Sequence, residues 1–309
     1  MQNVDEQQQQ RQQQQQQHDE HLQAASEFHT KLFADLPIAE AYRLSEAESQ
    51  RRGMQKVSAQ VDLTYGDVPF AVIAHALQAV NPRPGTVFYD LGSGVGRGVI
   101  AAALLHPFVC CIGIELLSDL HEAANEPGRR YKALRAAPPP ELAAGRMADS
   151  CEFVNSDLFD INVDAATWMR RRTATSGVTS DSRSSDATQA PADKSGTEAT
   201  PVQVNVLVFC CCVTWGRMLM HRLGVKLAEE LPSGSVVITV GQRLPEIVDL
   251  GAGSGGKDRG AVKFEAVWRS PEAFEWGTEL VFAHECVRLG VLAARRHRKA
   301  QASRSTNAH

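Results

Sequence analysis

The run FYDLGSGVGRG, residues 88–98, decides how this chain reads. It opens as a short β-rich stretch, passes through an acid at Asp90, and then sets Gly92, Gly94 and Gly96 at alternate positions before a helical pattern begins. Glycines at that density are needed where backbone turns tightly and a ligand approaches it closely. Dinucleotide sites use a related loop to seat a pyrophosphate on a helix N-terminus. Here G-x-G-x-G follows directly on a carboxylate. Asp90 would repel a pyrophosphate and suits a cationic or amine-bearing ligand.

The flanks say what kind of fold carries the loop. VPFAVIAHALQAV (68–80) has apolar residues at three- and four-residue steps and predicts a helix. TVFYDL (86–91) predicts a strand, GRGVIAAALLH (96–106) a helix and VCCIGIELL (109–117) a second strand. SDLHEAANEPGRRYKALRAA (118–137) predicts a helix interrupted at Pro127, and CEFVNSD (151–157) a third strand. The pattern resumes with VNVLVFC (204–210), a helix over 216–231 and SVVITVG (235–241). Two late strands, AVKFEAVWR (261–269) and TELVFAHECV (278–287), have no long helix between them. Alternation of this kind means parallel βαβ units with helices on both faces. Five such strands and a closing hairpin predict an α/β fold, a seven-stranded, Rossmann-like class I methyltransferase sheet.

Two further acids test the loop's ligand. Glu115 ends the second strand, 25 residues after Asp90, where a carboxylate can accept hydrogen bonds from ribose hydroxyls. Asp157 follows the third strand, where a polar residue meets adenine. Together these point to S-adenosylmethionine, which carries a sulfonium and an amino-acid head but no phosphate. Glu115 would also serve a nicotinamide dinucleotide; Asp90 argues against that alternative.

Around this unit the composition is uneven. Residues 1–25 are glutamine-rich low complexity, expected to be disordered or a frayed helix. Residues 26–64 form a helical N-terminal segment, 65–290 the methyltransferase domain and 291–309 a basic tail. Within the domain, 173–203 is almost all Ser, Thr, Ala, Asp, Gly and Pro and is expected as a disordered insertion. The net charge is −4, yet residues 1–50 hold nine acids against three bases, and 293–309 five bases and no acid. Such polarity marks interaction tails. The chain opens with no signal-peptide pattern, and no apolar run reaches the ~18 residues that span a membrane. Seven cysteines, an odd count, fit free thiols in a reducing compartment, cytosol or nucleus. His106, His221 and His284 show no metal-ligand spacing, and there is no G-x-S-x-G elbow.

Just upstream of the glycine loop lies LTYGDVPF (63–70), with Tyr65-Gly66-Asp67. This order resembles the disruptor-of-telomeric-silencing (Dot-one) family, the non-SET histone H3 lysine methyltransferases. That family has a Tyr-Gly-Glu loop, a helix and then the D-L-G-S-G-V-G run found here at 90–96. The resemblance continues through Glu115, the acid-x-Phe element Asp157-Leu158-Phe159 and a late Trp276-Gly277. It implies that Tyr65 and Asp67 lid the methionine end of the cofactor, with Gly92, Gly94, Gly96, Asp157 and Leu158 along it. It makes Phe159, Trp215, Trp276 and Phe282 candidates for an aromatic channel that receives a lysine. Histone H3 in nucleosomes would be the acceptor, and the run AARRHRKAQASR (293–304) would meet nucleosomal DNA or serve as a nuclear localisation signal.

The chain departs from the family after strand four. The family carries an Asn there; this sequence has Cys210-Cys211-Cys212, with Cys211 in the slot at the reactive end. Alternation along a strand sends Cys210 and Cys212 to one face and Cys211 to the other, so the three thiols cannot converge on one metal. They read as small apolar residues ending a buried strand. Two other functions stay open on sequence: a methyltransferase of the same fold with a non-histone or small-molecule acceptor, and a cofactor-binding pseudoenzyme that works as a chromatin-interaction module.

Overall fold

In the structure, a computed structural model, residues 2–53, 65–142, 144–164, 205–251 and 258–299 (without 292 and 295) are described. The expected insertion at 173–203 and most of the loop at 251–260 lie outside the described residues, as does the end of the basic tail.

The helices are α1 (Gln2–Leu32), α2 (Ile38–Arg51), α3 (Phe70–Val80), α4 (Arg97–Leu105), α5 (Ser118–Ala136) and α6 (Arg217–Glu230). The strands are β1 (Val87–Leu91), β2 (Cys110–Glu115), β3 (Cys151–Asn155), β4 (Val206–Cys211), β5 (Val236–Val240), β6 (Ile247–Asp249), β7 (Ala261–Phe274) and β8 (Gly277–Leu289). They form one sheet in the order β3-β2-β1-β4-β5-β8-β7-β6. The first five run parallel, and β8 is antiparallel between β5 and β7. This is the class I methyltransferase order. The three-residue β6 pairs on the outer edge of β7 as an eighth strand beyond the expected seven. Its residues lie just after Pro245 in a stretch too short to show alternation.

β1 and β2 are buried along their whole length because helices cover both faces. Phe88, Cys111, Leu207 and Phe209 point into the core beneath α1, α3, α4 and α5. Val87, Tyr89, Cys110, Val206 and Val208 point the other way, towards Leu223 and Leu227 of α6. The period-two alternation of the strands and the three- to four-residue spacing of the helices therefore meet in two cores, one on each side of the sheet.

Two local expectations change. α5 runs unbroken through Pro127, which is buried within it. Proline interrupts a helix by removing an N–H and crowding the carbonyl four residues back. Here packing outweighs that cost: the Tyr131 hydroxyl donates to Ala148 O at 2.7 Å and lies 3.2 Å from Ala103 O, and Gly128 leaves room for Phe153. The glutamine-rich start is helical and continues without a break past residue 25 into α1's docking face. Up to Gln17 its described side chains are exposed, whereas His21, Ala24, Ala25, His29 and Leu32 are buried against the domain. His21 Nε2 lies 3.0 Å from Leu104 O and His29 Nε2 3.1 Å from Arg97 O, which fastens α1 along α4.

Candidate active site

Strand order reverses around β1, which has β2 on one side and β4 on the other. Open α/β sheets bind ligands in the crevice that forms there, outside the carboxyl ends of the strands. The glycine loop leaves β1 at that point. Gly92, Gly94 and Gly96 have φ of 82°, 55° and 84°, in the left-handed region that side chains strain. At Gly94 there is a second reason for glycine: a Cβ would stand 2.4 Å from the Tyr65 ring. Tyr65 therefore closes directly on the loop. At Gly96 a Cβ would meet the Phe153 ring at 2.4 Å, so that glycine serves packing beneath the loop.

Between loop, strand ends and lid is a cleft of about 510 Å³. It brings together Tyr65, Gly92, Gly94, Glu115, Asp157, Leu158, Phe159, Cys211, Trp215 and Trp276 of the residues expected from sequence. Glu115 is almost fully buried; its Oε2 accepts the Gly94 N–H at 2.7 Å and its Oε1 the Leu117 N–H at 2.8 Å. Burial raises its pKa, and those backbone donors work against the rise. A carboxylate has about four acceptor positions, so each oxygen retains capacity for a hydroxyl of a bound diol. Asp157 Oδ1 accepts the Phe159 N–H at 2.9 Å, an Asx-type turn that orients Leu158 and Phe159 at the rim. The Arg222 guanidinium lies over the Phe159 ring, 4.1 Å from its centroid.

The opposite end of the cleft is aromatic. Tyr65 donates to Asp67 Oδ1 at 3.0 Å and meets Tyr42 edge-on with centroids 5.3 Å apart. Trp276, at the tip of the β7–β8 hairpin, stacks on Phe274 at 5.0 Å and reaches over Gly66. Cys211 and Thr214 bring in the end of β4. The cysteine run divides between the faces as alternation requires: Cys210 and Cys212 join the α6-side core, and Cys211 packs towards the other. All seven cysteines are free, and burial pushes the Cys211 thiol up to about 12, so it is neutral at physiological pH. Among the described residues no cluster of His, Cys, Asp and Glu is arranged to hold a metal.

Four expected residues do not line the cleft. Asp90 stands behind the loop, its Oδ2 only 2.6 Å from where a Cβ of Gly98 would be. Burial, and then the charge of Glu115, pushes its carboxyl up to about 8. Asp67 is turned to Tyr65 and to Arg97, whose Nε lies 3.5 Å away in a charge contact. Arg97 also donates to Leu36 O and covers the Phe33 ring at 4.5 Å, so Asp67 ties the lid to the α1–α2 turn. Gly96 is taken up by Phe153. Phe282 is buried at the middle of β8, opposite Thr239, and alternates with Val281 and Ala283 of the other face. It has Arg243 5.8 Å from its ring, and it is no part of the aromatic end.

Tyr42, Leu117, Leu120, Thr214, Leu219 and Arg222 also line the cleft, and sequence reading missed them. Leu219 and Arg222 follow Trp215 at helical steps, a signal that was available. Tyr42 comes from α2, and nothing local in the sequence points to it.

No curated protein gives a match to this sequence. Among solved structures, an RNA methyltransferase from Salinibacter ruber in complex with S-adenosyl-L-homocysteine is 20% identical, covering 73% of this chain and 95% of its own, with a TM-score of 0.38. A magnesium protoporphyrin IX methyltransferase from Synechocystis with bound S-adenosylmethionine is 11% identical, covering 84% and 89%, with a TM-score of 0.39. A putative RNA methyltransferase from Pyrococcus horikoshii is 12% identical over 81% and 100%, with a TM-score of 0.39. Residues 46–138, from within α2 through the glycine loop to just beyond α5, match the family described as histone methylation protein DOT1, and this chain carries that segment on a class I methyltransferase sheet.

Proposed function

We propose that this chain transfers a methyl group from S-adenosylmethionine to a lysine side chain, with histone H3 in nucleosomes as the acceptor and the nucleus as its compartment. The observation that carries this reading is a cleft with two chemically different ends. One is polar, with Glu115 and Asp157; the other is aromatic, where Tyr65 meets Gly94 and Tyr42 and Trp276 reaches over Gly66, and Trp215 lines the same cleft. The polar end fits the cofactor. Glu115 retains acceptor capacity for ribose hydroxyls, Asp157 and Leu158 border the adenine end, and Gly94 brings bare backbone and the Tyr65 ring to the methionine end.

When bound, the cofactor supplies a methyl group on a sulfonium: the amine lone pair forms the N–C bond while the C–S bond breaks and leaves its electron pair on sulfur. The chain's own residues prepare the acceptor. A lysine must react as the free amine, and aromatic walls that exclude water disfavour its charged form. They also hold the amine in line, so that the site supplies position more than proton transfer. Outside the cleft, the basic stretch 293–304 is proposed to meet nucleosomal DNA. Arg298 of that stretch pairs with Asp258 at 2.7 Å and Asp249 at 3.3 Å, which fixes this part of the stretch against β6 and the loop before β7.

Methyl-labelled S-adenosylmethionine, offered with nucleosomes and separately with free histones, tests the reading. Label on histone H3 that depends on nucleosomes is the expected result. Label on another acceptor moves the substrate, and cofactor binding with no label on any amine replaces catalysis by a binding role. Failure to bind S-adenosylmethionine removes the reading altogether.

A further inference from the structure

Within β4 the Cys210–Cys212 run gives the cleft no amide, with Thr214 the polar side chain that follows it, and the structure brings a further hydroxyl from elsewhere. Tyr42 enters the cleft from α2, outside the sheet. Its placement is built rather than incidental. Glu48, six residues further along α2, is buried and accepts the Ser118 N–H at 3.0 Å and the Asp119 N–H at 2.8 Å. It thereby caps α5, whose own N-cap residue, Leu117, offers no side-chain acceptor. That cap fixes α2 against the strand that ends in Glu115. The Tyr42 ring is then held edge-on by Tyr65, whose own ring occupies the space left by Gly94.

The hydroxyl of Tyr42 sits where three elements meet. The lid and the β7–β8 hairpin tip contribute the carboxylates of Asp67 and Glu275, which raise its pKa after burial has done so first, and the end of β4 contributes the neutral Cys211 thiol to the same cleft. A hydrogen bond from the Asp67 backbone acts in the opposite sense. Tyr42 is therefore a neutral phenol at neutral pH. A phenol oxygen has two lone pairs, so it retains capacity to accept an N–H.

We propose that Tyr42 is a positioning residue for the acceptor amine, its oxygen taking the place of the amide that the cysteine run has replaced. A neutral amine that donates one N–H to this oxygen has its lone pair turned away from the phenol, into the cleft. The proton that makes the incoming lysine an ammonium is given up to water before this contact forms. Asp67 and Glu275 favour approach of the charged form, and the rings of Tyr42, Tyr65 and Trp276 favour the neutral one inside. This assignment rests on the lysine reading above.

Tyr42→Phe keeps the ring and its edge contact and removes only the oxygen. Cofactor affinity, measured by calorimetry with S-adenosylmethionine alone, is expected to stay within about twofold of the parent. Turnover on nucleosomes is expected to fall about 10- to 100-fold, as for loss of one positioning hydrogen bond. Adding Cys211→Asn to Tyr42→Phe is expected to recover turnover at least fivefold over the single variant, roughly half of a tenfold loss. Equal turnover of Tyr42→Phe and parent overturns the proposal. So does a loss matched by weaker cofactor binding, or no recovery in the double variant. A parent that labels no amine in the same assay overturns the lysine reading, and the role of Tyr42 with it.

Discussion

Gly94 and Gly92 separate two uses of the same residue type. Both have positive φ, so alanine at either is strained by about 1 kcal/mol. At Gly92 a Cβ would meet nothing within 4 Å, whereas at Gly94 it would stand 2.4 Å from the Tyr65 ring and force the lid off the loop. Gly94→Ala is therefore expected to weaken S-adenosylmethionine binding at least tenfold, and Gly92→Ala by no more than about threefold, with similar unfolding midpoints by urea titration. Equal effects on affinity would mean that Tyr65 does not close on the cofactor. What could be read at this scale was whatever is local in sequence. The glycine loop announces itself, and Glu115 follows from the length of one strand–helix–strand unit. Sequence gives order along a strand but not depth, so Asp90 was expected in the cleft although it stands behind it. The resemblance implies Phe282 in the aromatic channel; its place in the β8 alternation assigns it to the other face of the sheet.

Elements show a second limit. The helices and strands of the methyltransferase unit were legible because each has its own period, and their ends fall within a few residues of the expected ones. What was not legible is how one element completes another. Leu117 precedes α5 and cannot cap it, which reads locally as a poor helix start. The missing acceptor arrives from Glu48, 70 residues upstream, with Arg52 Nε held on the same carboxylate at 2.8 Å. A carboxylate at a helix N-terminus also complements its dipole. Glu48→Ala is expected to cost about 2 kcal/mol in urea unfolding, the loss of one buried cap and its charge-assisted hydrogen bonds. The same variant frees α2, so turnover should fall together with stability. A cost below about 0.5 kcal/mol would show that water replaces the cap and that α2 is held by its other contacts. Pro127 is the converse case: a residue that breaks helices in isolation is overruled by the packing of the turns around it.

At the scale of the molecule, covering both faces of the sheet buries ionisable groups of opposite kinds, and their titrations give stability a definite pH dependence. His29 and His284 are lowered to about 4, chiefly by burial. Between about 4 and the ordinary histidine value near 6.5, the unfolded chain binds protons that the folded chain refuses. Their contribution is therefore complete above that range and is lost on acidification. Asp90 is displaced the other way, to about 8, by burial and by the charge of Glu115. The folded chain holds a proton there that the unfolded chain releases near 4. Stability from this site is complete below about 4 and is lost as pH rises to about 8. From pH 4 to 6.5 the two trends oppose each other, but two histidines outweigh one carboxyl, so these groups leave a net rise of up to about 1.4 kcal/mol per pH unit. From 6.5 to 8 the histidines have finished titrating and Asp90 has not, so stability must fall. One group contributes at most about 1.4 kcal/mol per pH unit, which sets the decline over that interval at up to about 2 kcal/mol. Asp90→Asn has no proton to lose and is expected to flatten the decline from pH 6.5 to 8 and to steepen the histidine-driven rise from pH 5 to 6.5, measured as urea midpoints at pH 5, 6.5 and 8. A parent midpoint that rises from pH 6.5 to 8 would place the Asp90 carboxylate in a solvated or paired setting, in conflict with its position behind the glycine loop.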